Sequence, residues 1–367
     1  MSKAPTTDGL AKAARKRKAP RPRKSSGDAA TVNGDAPRIA RMEDVARRAG
    51  VSLMTVSRAL RFPDTVADDT RQRIEEASAA LNYVGSRLAG QLATGRTRLV
   101  AVVLPDLRNP AFALAMQGLS DALGEEFELV VSGTHGVQSG EERVIRALLG
   151  YRPAALVVHG GRHDAATRDL LANSGIPVVE MGSLVTRSTS FMVGYSNRAA
   201  GKAATQHLIA RGYRRIGFVS QPKRDNSRAD ERWQGFRAAL AAAGLTPRPI
   251  LEIETELGYE RGAEVFAELR RRDRKLDAIF FTSDRWALGA LFHCQREGIA
   301  VPGEVAIMGF DDLDIAALAV PALTTIHVPR YEMGWESGKL LRAQIAGQTL
   351  ARRSVDLGFE LKVRETT

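Results

Sequence analysis

The 367-residue chain holds one cysteine, Cys294, so an internal disulfide is impossible, and no Cys/His grouping has zinc-ligand spacing. No uninterrupted apolar run approaches the ~18–20 residues needed to cross a bilayer. The first residues are polar and basic, without the apolar stretch of a signal peptide, so the chain is expected to stay in the cytoplasm. Phosphate-cradling and nucleophile motifs are missing too: there is no Walker loop, no G-x-G-x-x-G, no G-x-S-x-G and no H-E-x-x-H. The histidines (His135, His159, His163, His207, His293, His327) are scattered, and each reads as an ordinary satisfied side chain. Cys294 falls on a predicted helix and reads as packing. These absences exclude disulfide-stapled, collagenous and membrane-spanning classes. They leave no catalytic constellation, metal site or cofactor loop, so a non-enzyme is expected.

What the chain does have is a core and an uneven charge. Apolar residues are 44% and charged residues 26%, ordinary for a globular protein of two or three domains. The net charge is +11. Residues 1–37 hold nine basic and three acidic groups, a local +6. Residues 38–96 hold ten and seven, a local +3, leaving only +2 for residues 97–367. A basic front on a near-neutral body is the distribution of a chain whose front meets a polyanion; a merely soluble basic surface is the alternative.

Four segments follow. Residues 1–37, with Lys16-Arg17-Lys18-Ala19-Pro20-Arg21-Pro22-Arg23-Lys24, read as a disordered basic tail, either touching phosphates or simply solvated. Residues 38–84 read as three short helices. Glu43 and Asp44 suit the positive end of the first, and Gly50 its left-handed end. Ser52 caps a second helix running to about Leu60, with Val56 and Leu60 facing inward. Phe62-Pro63-Asp64 is a turn, and a third helix from about Asp69 buries Ile74, Ala77 and Leu81. Two helices joined by Gly50-Val51-Ser52 form a helix-turn-helix. Residues 85–96 read as a linker with Leu88, Ala89 and Leu92 at helical spacing, too short to hold a helix unaided.

Residues 97–367 alternate short apolar strands (99–104, 129–131, 154–158, 176–181, 216–219, 278–281, 305–309) with amphipathic helices such as 198–210, 232–243 and 285–297. That alternation argues parallel sheets, and roughly 270 residues is large for one, so two Rossmann-like lobes are expected: 97–194 plus 328–350, and 195–327. The fold class is therefore mixed α+β multidomain, a helical headpiece followed by a two-lobed α/β core.

The run Asp44-Val45-Ala46-Arg47-Arg48-Ala49-Gly50-Val51-Ser52-Leu53-Met54-Thr55-Val56-Ser57-Arg58-Ala59-Leu60, followed by Ile74, Ala77 and Leu81-Asn82-Tyr83, resembles the headpiece of the lactose/galactose repressor (LacI/GalR) family. The similarity continues through Arg87-Leu88-Ala89-Gly90-Gln91-Leu92 and reaches Asp284–Ala290, Gly309–Asp312 and Pro321-Ala322-Leu323-Thr324-Thr325-Ile326. It covers about residues 40–360. The resemblance implies a ligand-controlled transcriptional repressor that binds a double-stranded operator as a homodimer. Ser52, Leu53, Met54, Thr55, Ser57 and Arg58 then meet the major groove. Leu53 and Met54 take the family's variable base-reading places. Arg58 reads a guanine or holds phosphate, and Ser52, Thr55 and Ser57 suit phosphate oxygens or helix solvation. Leu92 matches the leucine that family members insert into the minor groove from a hinge helix formed on DNA, and Ala89 the small residue where two hinges meet. Gly85-Ser86 departs from the family's Pro-Asn.

Ligands of open α/β sheets bind beyond the carboxyl ends of strands. That places Phe112, Ser283, Asp284 and Asp311 as effector-binding candidates, with Arg232, in Arg232-Trp233-Gln234-Gly235-Phe236, resembling the family's effector arginine and Asp311 its aspartate. Ser283 stands where the family has asparagine. Trp286 covers a sugar face or packs its helix. Met54–Arg58 with Pro63, Leu104-Pro105-Asp106-Leu107 with Asn109, and Asp356-Leu357-Gly358-Phe359-Glu360-Leu361 are similar to the gluconate-repressor branch. The extra cations Lys223, Arg224 and Arg228 suit an acidic ligand or a solvated loop, so the effector reads as a sugar acid, with a neutral sugar or a nucleobase as the alternatives. No heptad tail follows the last predicted strand, so a dimer is expected. A solute-binding protein of a transporter is the competing reading, and the missing signal peptide and the headpiece speak against it.

Overall fold

The computed structural model describes residues 40–84, 97–134, 140–160, 162–184, 188, 190–223, 226–247, 250–252 and 258–367. The basic tail, the hinge with Ala89 and Leu92, the Gly85-Ser86 departure and Arg224 lie outside the described residues. The chain divides into two compact units, one ending at Ser86 and the other starting at Arg87.

The first unit is three helices, α1 (Met42–Ala49), α2 (Leu53–Arg61) and α3 (Asp68–Ala80), with a 3-10 turn at Pro63–Thr65. Asp44 starts α1 by accepting the Arg41 amide at 2.9 Å. Gly50 closes it in the left-handed region at φ 66°. Ser52 Oγ accepts the Thr55 amide at 3.1 Å and so caps α2. Val45, Ala46, Ala49, Val56, Ala59, Ile74 and Ala77 form one small core. Full burial of a Val or Ile contributes about 1.5–3 kcal/mol, so Val45, Val56 and Ile74 carry much of this unit's stability. One inward residue was misplaced by periodicity. Leu60 is 45% exposed, and Ala59 occupies the inward place beside Val56. The stripe steps by three residues there, from Val56 to Ala59, and Ala59 joins the small core.

The second unit contains a six-stranded parallel sheet in the order β11-β5-β4-β3-β1-β2. Its strands are β1 (Leu99–Leu104), β2 (Glu128–Gly133), β3 (Ala155–Gly160), β4 (Val178–Ser183), β5 (Phe191–Tyr195) and β11 (Ser354–Asp356). A four-stranded parallel sheet follows in the order β7-β6-β8-β9, from β6 (Ile216–Ser220), β7 (Ile250–Glu252), β8 (Ala278–Phe281) and β9 (Ala306–Met308). An antiparallel pair, β10 (Thr325–His327) with β12 (Glu360–Lys362), completes the second lobe. The central strands β1, β3 and β8 are buried on both faces, which is why they read as apolar runs; β4, equally buried, carries Glu180 among its apolar residues. The chain passes between lobes after β5, after β10 and after β11.

The helices that carry the cleft are α4 (Ala111–Leu123), α7 (Asn197–Ala210), α8 (Ser227–Ala242), α9 (Tyr259–Arg272), α10 (Asp284–Glu297) and α12 (Arg330–Ile345); between them come α5 (Glu141–Leu149), α6 (Ala165–Ala172) and α11 (Asp314–Leu318). Helices α7 and α8 touch backbone to backbone. A Cβ on Gly201 would stand 2.8 Å from Arg232 Cα, and one on Gly235 would meet the Arg198 carbonyl. The same device at Gly262 seats the backbone of Trp286, where a Cβ would stand 2.7 Å from its Cα. Glycine is needed at these crossings for close approach, and the approach sets where Arg232 and Trp286 project.

Candidate DNA-reading helix and ligand cleft

On α2, Val56 and Ala59 face the core while Ser52, Leu53, Met54 and Arg58 face solvent. Met54 is 71% exposed and Leu53 44%, large apolar side chains held in water at the start of a helix. Thr55 and Ser57 are half-buried, and Thr55 Oγ1 pairs with Ser52 Oγ at 2.8 Å. The Thr55 hydroxyl thus supports the Ser52 cap. The helix carries no acidic residue in its first turn and has Arg58 and Arg61 in its last. The amino end of such a helix is positive through its dipole, and a polyanion is favoured there.

The second unit contains a cleft lined from both lobes at the carboxyl ends of the strands. The first lobe contributes Asp106, Asn109 and Phe112 after β1, His159 in β3 and Tyr195 in β5, with Arg330 at the start of α12. The second contributes Gln221, Asn226, Arg228 and Arg232 after β6, Ser283 and Trp286 after β8, and Asp311 after β9. Asn226 caps α8 by accepting the Arg228 and Ala229 amides, both at 3.2 Å. Arg228 and Arg232 therefore sit one turn apart on a helical face that meets the cleft.

Arg232 is held on every side. Its Nε donates to Asn197 Oδ1 at 2.8 Å, Nη1 to the Thr282 carbonyl at 3.0 Å and Nη2 to the Tyr195 hydroxyl at 3.2 Å. The guanidinium lies 3.6 Å above the Phe310 ring, a cation–π contact. Asp311 is buried and ion-paired with Arg330. Its φ of 119° is a conformation that a non-glycine residue rarely adopts. The cost is covered by the ion pair and by its amide donating to the Ile326 carbonyl at 3.0 Å. Phe112 presents to His159 edge to face at 4.7 Å, and the Arg330 guanidinium lies 5.5 Å over the Phe112 ring.

Burial pulls the His159 pKa well below its ordinary value, and the positive charges of Arg228, Arg330 and Arg232 pull it further. His159 is thus neutral at physiological pH. Burial likewise lowers Arg228 to about 10, with Arg232 repelling it; it stays cationic. Ser283 Oγ, Trp286 Nε1 and His159 Nε2 are buried polar atoms without a hydrogen-bond partner. Buried polar groups ordinarily have one, so Ser283 Oγ and Trp286 Nε1 are groups a ligand can satisfy, while His159 Nε2 lies against Gly182.

Among the sequence candidates, Phe112, Arg232, Ser283 and Asp311 thus line one cleft, and Trp286 joins them. Asp284 does not. Its Oδ1 accepts the Thr325 hydroxyl at 2.6 Å and its Oδ2 the Leu313 amide at 2.8 Å. The carboxyl ties α10 to the loop after β9, in room that Gly309 leaves by lacking a Cβ. Sequence reasoning missed His159, Tyr195, Asn226 and Arg330, and saw Arg228 only as an extra cation. Only the Asn226 cap ahead of a helical Arg pair left a local signal. Among the described residues no helix is long and apolar enough to cross a membrane.

A helix-turn-helix unit followed by a two-lobed α/β unit with a cleft at its strand ends defines a DNA-binding transcriptional regulator with an effector domain. Residues 41–86 match the bacterial regulatory proteins of the lacI family, and residues 205–367 a periplasmic binding protein-like domain. The chain is 36% identical over 335 residues to the HTH-type transcriptional regulator GntR of Pseudomonas aeruginosa, spanning 89% of this chain and 95% of that protein. A solved LacI family regulator from Silicibacter pomeroyi superposes with a TM-score of 0.82 at 31% identity, over 89% of this chain and 99% of that one. The regulator GntR from Chromobacterium violaceum superposes with a TM-score of 0.68 at 34% identity, over 73% and 98%. The chain belongs to the LacI family of bacterial regulatory proteins.

Proposed function

We propose that the protein is a repressor that reads a two-fold operator as a homodimer and releases it when a sugar or sugar acid enters the cleft. The observation that carries this reading is the exposed row on α2: Leu53, Met54 and Arg58 project to solvent from a helix whose other face is fully committed to its own core. That is the surface a major groove accepts. Ser52, Thr55 and Ser57 hold phosphate in this scheme. Residues 38–84 are the reading unit and 97–367 the effector core. Residues 85–96 are a hinge in which Ala89 packs against its partner's copy and Leu92 wedges into the minor groove. Exposed apolar side chains Leu318 and Val320 offer the second lobe a surface for a second copy.

Phe112, Arg232, Ser283 and Asp311 are the effector residues, and the GntR relatives favour a gluconate-like ligand. Binding couples to DNA through the ligand's differential affinity for two lobe arrangements. No catalysis is assigned to the cleft, and the site of action is the cytoplasm, where the DNA is. Selection of duplexes from a random pool by the full-length protein tests the reading. Enrichment of one two-fold symmetric sequence is expected; a pool left without a shared sequence refutes it.

A further inference from the structure

The cleft is short of negative charge. Three guanidinium groups line it, those of Arg228, Arg232 and Arg330, and so do two carboxylates, Asp106 and Asp311. Both carboxylates are taken: Arg108 pairs with Asp106 at 3.1 Å, and Arg330 with Asp311. Arg232 is satisfied by an amide, a carbonyl and a phenol, all neutral. Arg228 donates through Nη1 to His159 Nδ1 at 2.7 Å and, weakly, through Nε to Asn226 Oδ1 at 3.4 Å. Among the described residues neither Arg228 nor Arg232 has a carboxylate partner. Removing a cation from water without a counter-charge is costly, so such a site is completed by an anion.

His159 decides what Arg228 can do. A guanidinium only donates, so the imidazole accepts at Nδ1 and carries its proton on Nε2. The ring is locked: Phe112 stands against it, and a Cβ on Gly182 would lie 2.7 Å from Nε2. A neutral acceptor orients the arginine without cancelling its charge; a carboxylate at position 159 would cancel it. The remaining groups are of another kind. Asp311 accepts hydroxyl hydrogens, while Ser283 Oγ and Trp286 Nε1 can donate.

We infer that Arg228, oriented by neutral His159, is the residue that recognises the carboxylate of the gluconate-like effector. This rests on the cleft being the effector site, as proposed above. His159 is a positioning residue; Arg228 makes the contact. Arg232 and Asp311 then hold the hydroxyl-bearing carbons, and discrimination between acid and neutral polyol falls to Arg228.

Calorimetry on the full-length protein with sodium gluconate, glucitol and 6-phosphogluconate tests this, because glucitol differs from gluconate only at the carboxylate. Gluconate is expected to bind on the order of 10–100-fold more tightly than glucitol, the worth of a charge-assisted hydrogen bond. In Arg228→Gln the ratio should fall to within a few-fold of one, with the apo melting temperature kept. His159→Phe should lower gluconate affinity and spare glucitol, and His159→Gln, which restores an acceptor, should recover part of the loss. A merely structural role would weaken both ligands together. Equal wild-type affinity for gluconate and glucitol overturns the inference. So does an acid preference that survives in Arg228→Gln, binding of the phosphorylated acid alone, or binding of none of the three. The duplex selection is independent of all these outcomes and judges the regulatory reading separately.

Discussion

The recognition helix and the cleft solve opposite problems. Helix α2 gathers its candidate contacts within seven consecutive residues, 52–58, and leaves its largest apolar tips in water, Met54 at 71% exposure. The cleft collects its contacts from seven separated stretches and shields charged groups from water. A reading surface must stay exposed because its partner is far larger than itself. A small-molecule site must surround its ligand, and so must bring distant strand ends together. The headpiece can thus lose one exposed side chain without loss of fold, whereas the cleft's charged groups lean on one another.

Substitutions can break that contrast, and the largest effect is expected at Arg232. Arg232→Ala removes the hydrogen bonds to Asn197, Thr282 and Tyr195 and the Phe310 stack. Ligand affinity should fall by about 100-fold or more, while ligand-free affinity for the selected duplex is unchanged. Calorimetry beside anisotropy checks both halves, and a parallel loss of DNA binding would erase the separation of roles. Next, Val56→Ala should cost about 2 kcal/mol in a headpiece with few other core side chains, abolishing DNA binding and leaving ligand binding intact. Gly201→Ala forces a Cβ against Arg232. It should destabilise the second unit by about 1–3 kcal/mol and weaken the ligand, both visible in thermal melts.

His163 gives the second unit a pH dependence. Burial pulls its pKa down, but the hydrogen bond to Glu141 at 2.7 Å and attraction to the carboxylates of Glu141 and Glu180, the latter at 3.7 Å, outweigh that and raise it to about 9. A raised folded-state pKa means the contribution is complete below about 6.5 and is lost as pH climbs through about 9. The melting temperature should fall across that window, and His163→Gln should flatten the fall. The smallest effect is Met54→Ala. It should relax preference at one base position by about 1 kcal/mol and leave binding to random duplex unchanged.

The same contrast explains what the sequence could reveal. The helices, caps and glycine turn of the headpiece were legible almost residue by residue, since these signals are all local. Its one error, Leu60 for Ala59, came from applying a four-residue step where the helix uses three. The core's long buried strands were legible as apolar runs. The three-residue strands β7, β10, β11 and β12 were not, nor was β5, whose short apolar run Phe191–Val193 is cut by Gly194. In the cleft, Arg232 and Asp311 were found through family resemblance. His159, Tyr195 and Arg330 stand alone in their own segments and become neighbours only through the parallel sheet order. Asp284 shows the converse: a residue beside a true lining residue, Ser283, whose carboxyl is spent on Thr325 and Leu313.

The most direct test of ligand-controlled DNA binding is an anisotropy titration of the full-length protein on its selected duplex, with and without sodium gluconate. The expected result is tight binding without the acid, at least 10-fold weaker binding at saturating acid, and no such change with glucitol at the same concentration. Affinity for the duplex that stays the same with the acid bound, as verified by calorimetry, would contradict it.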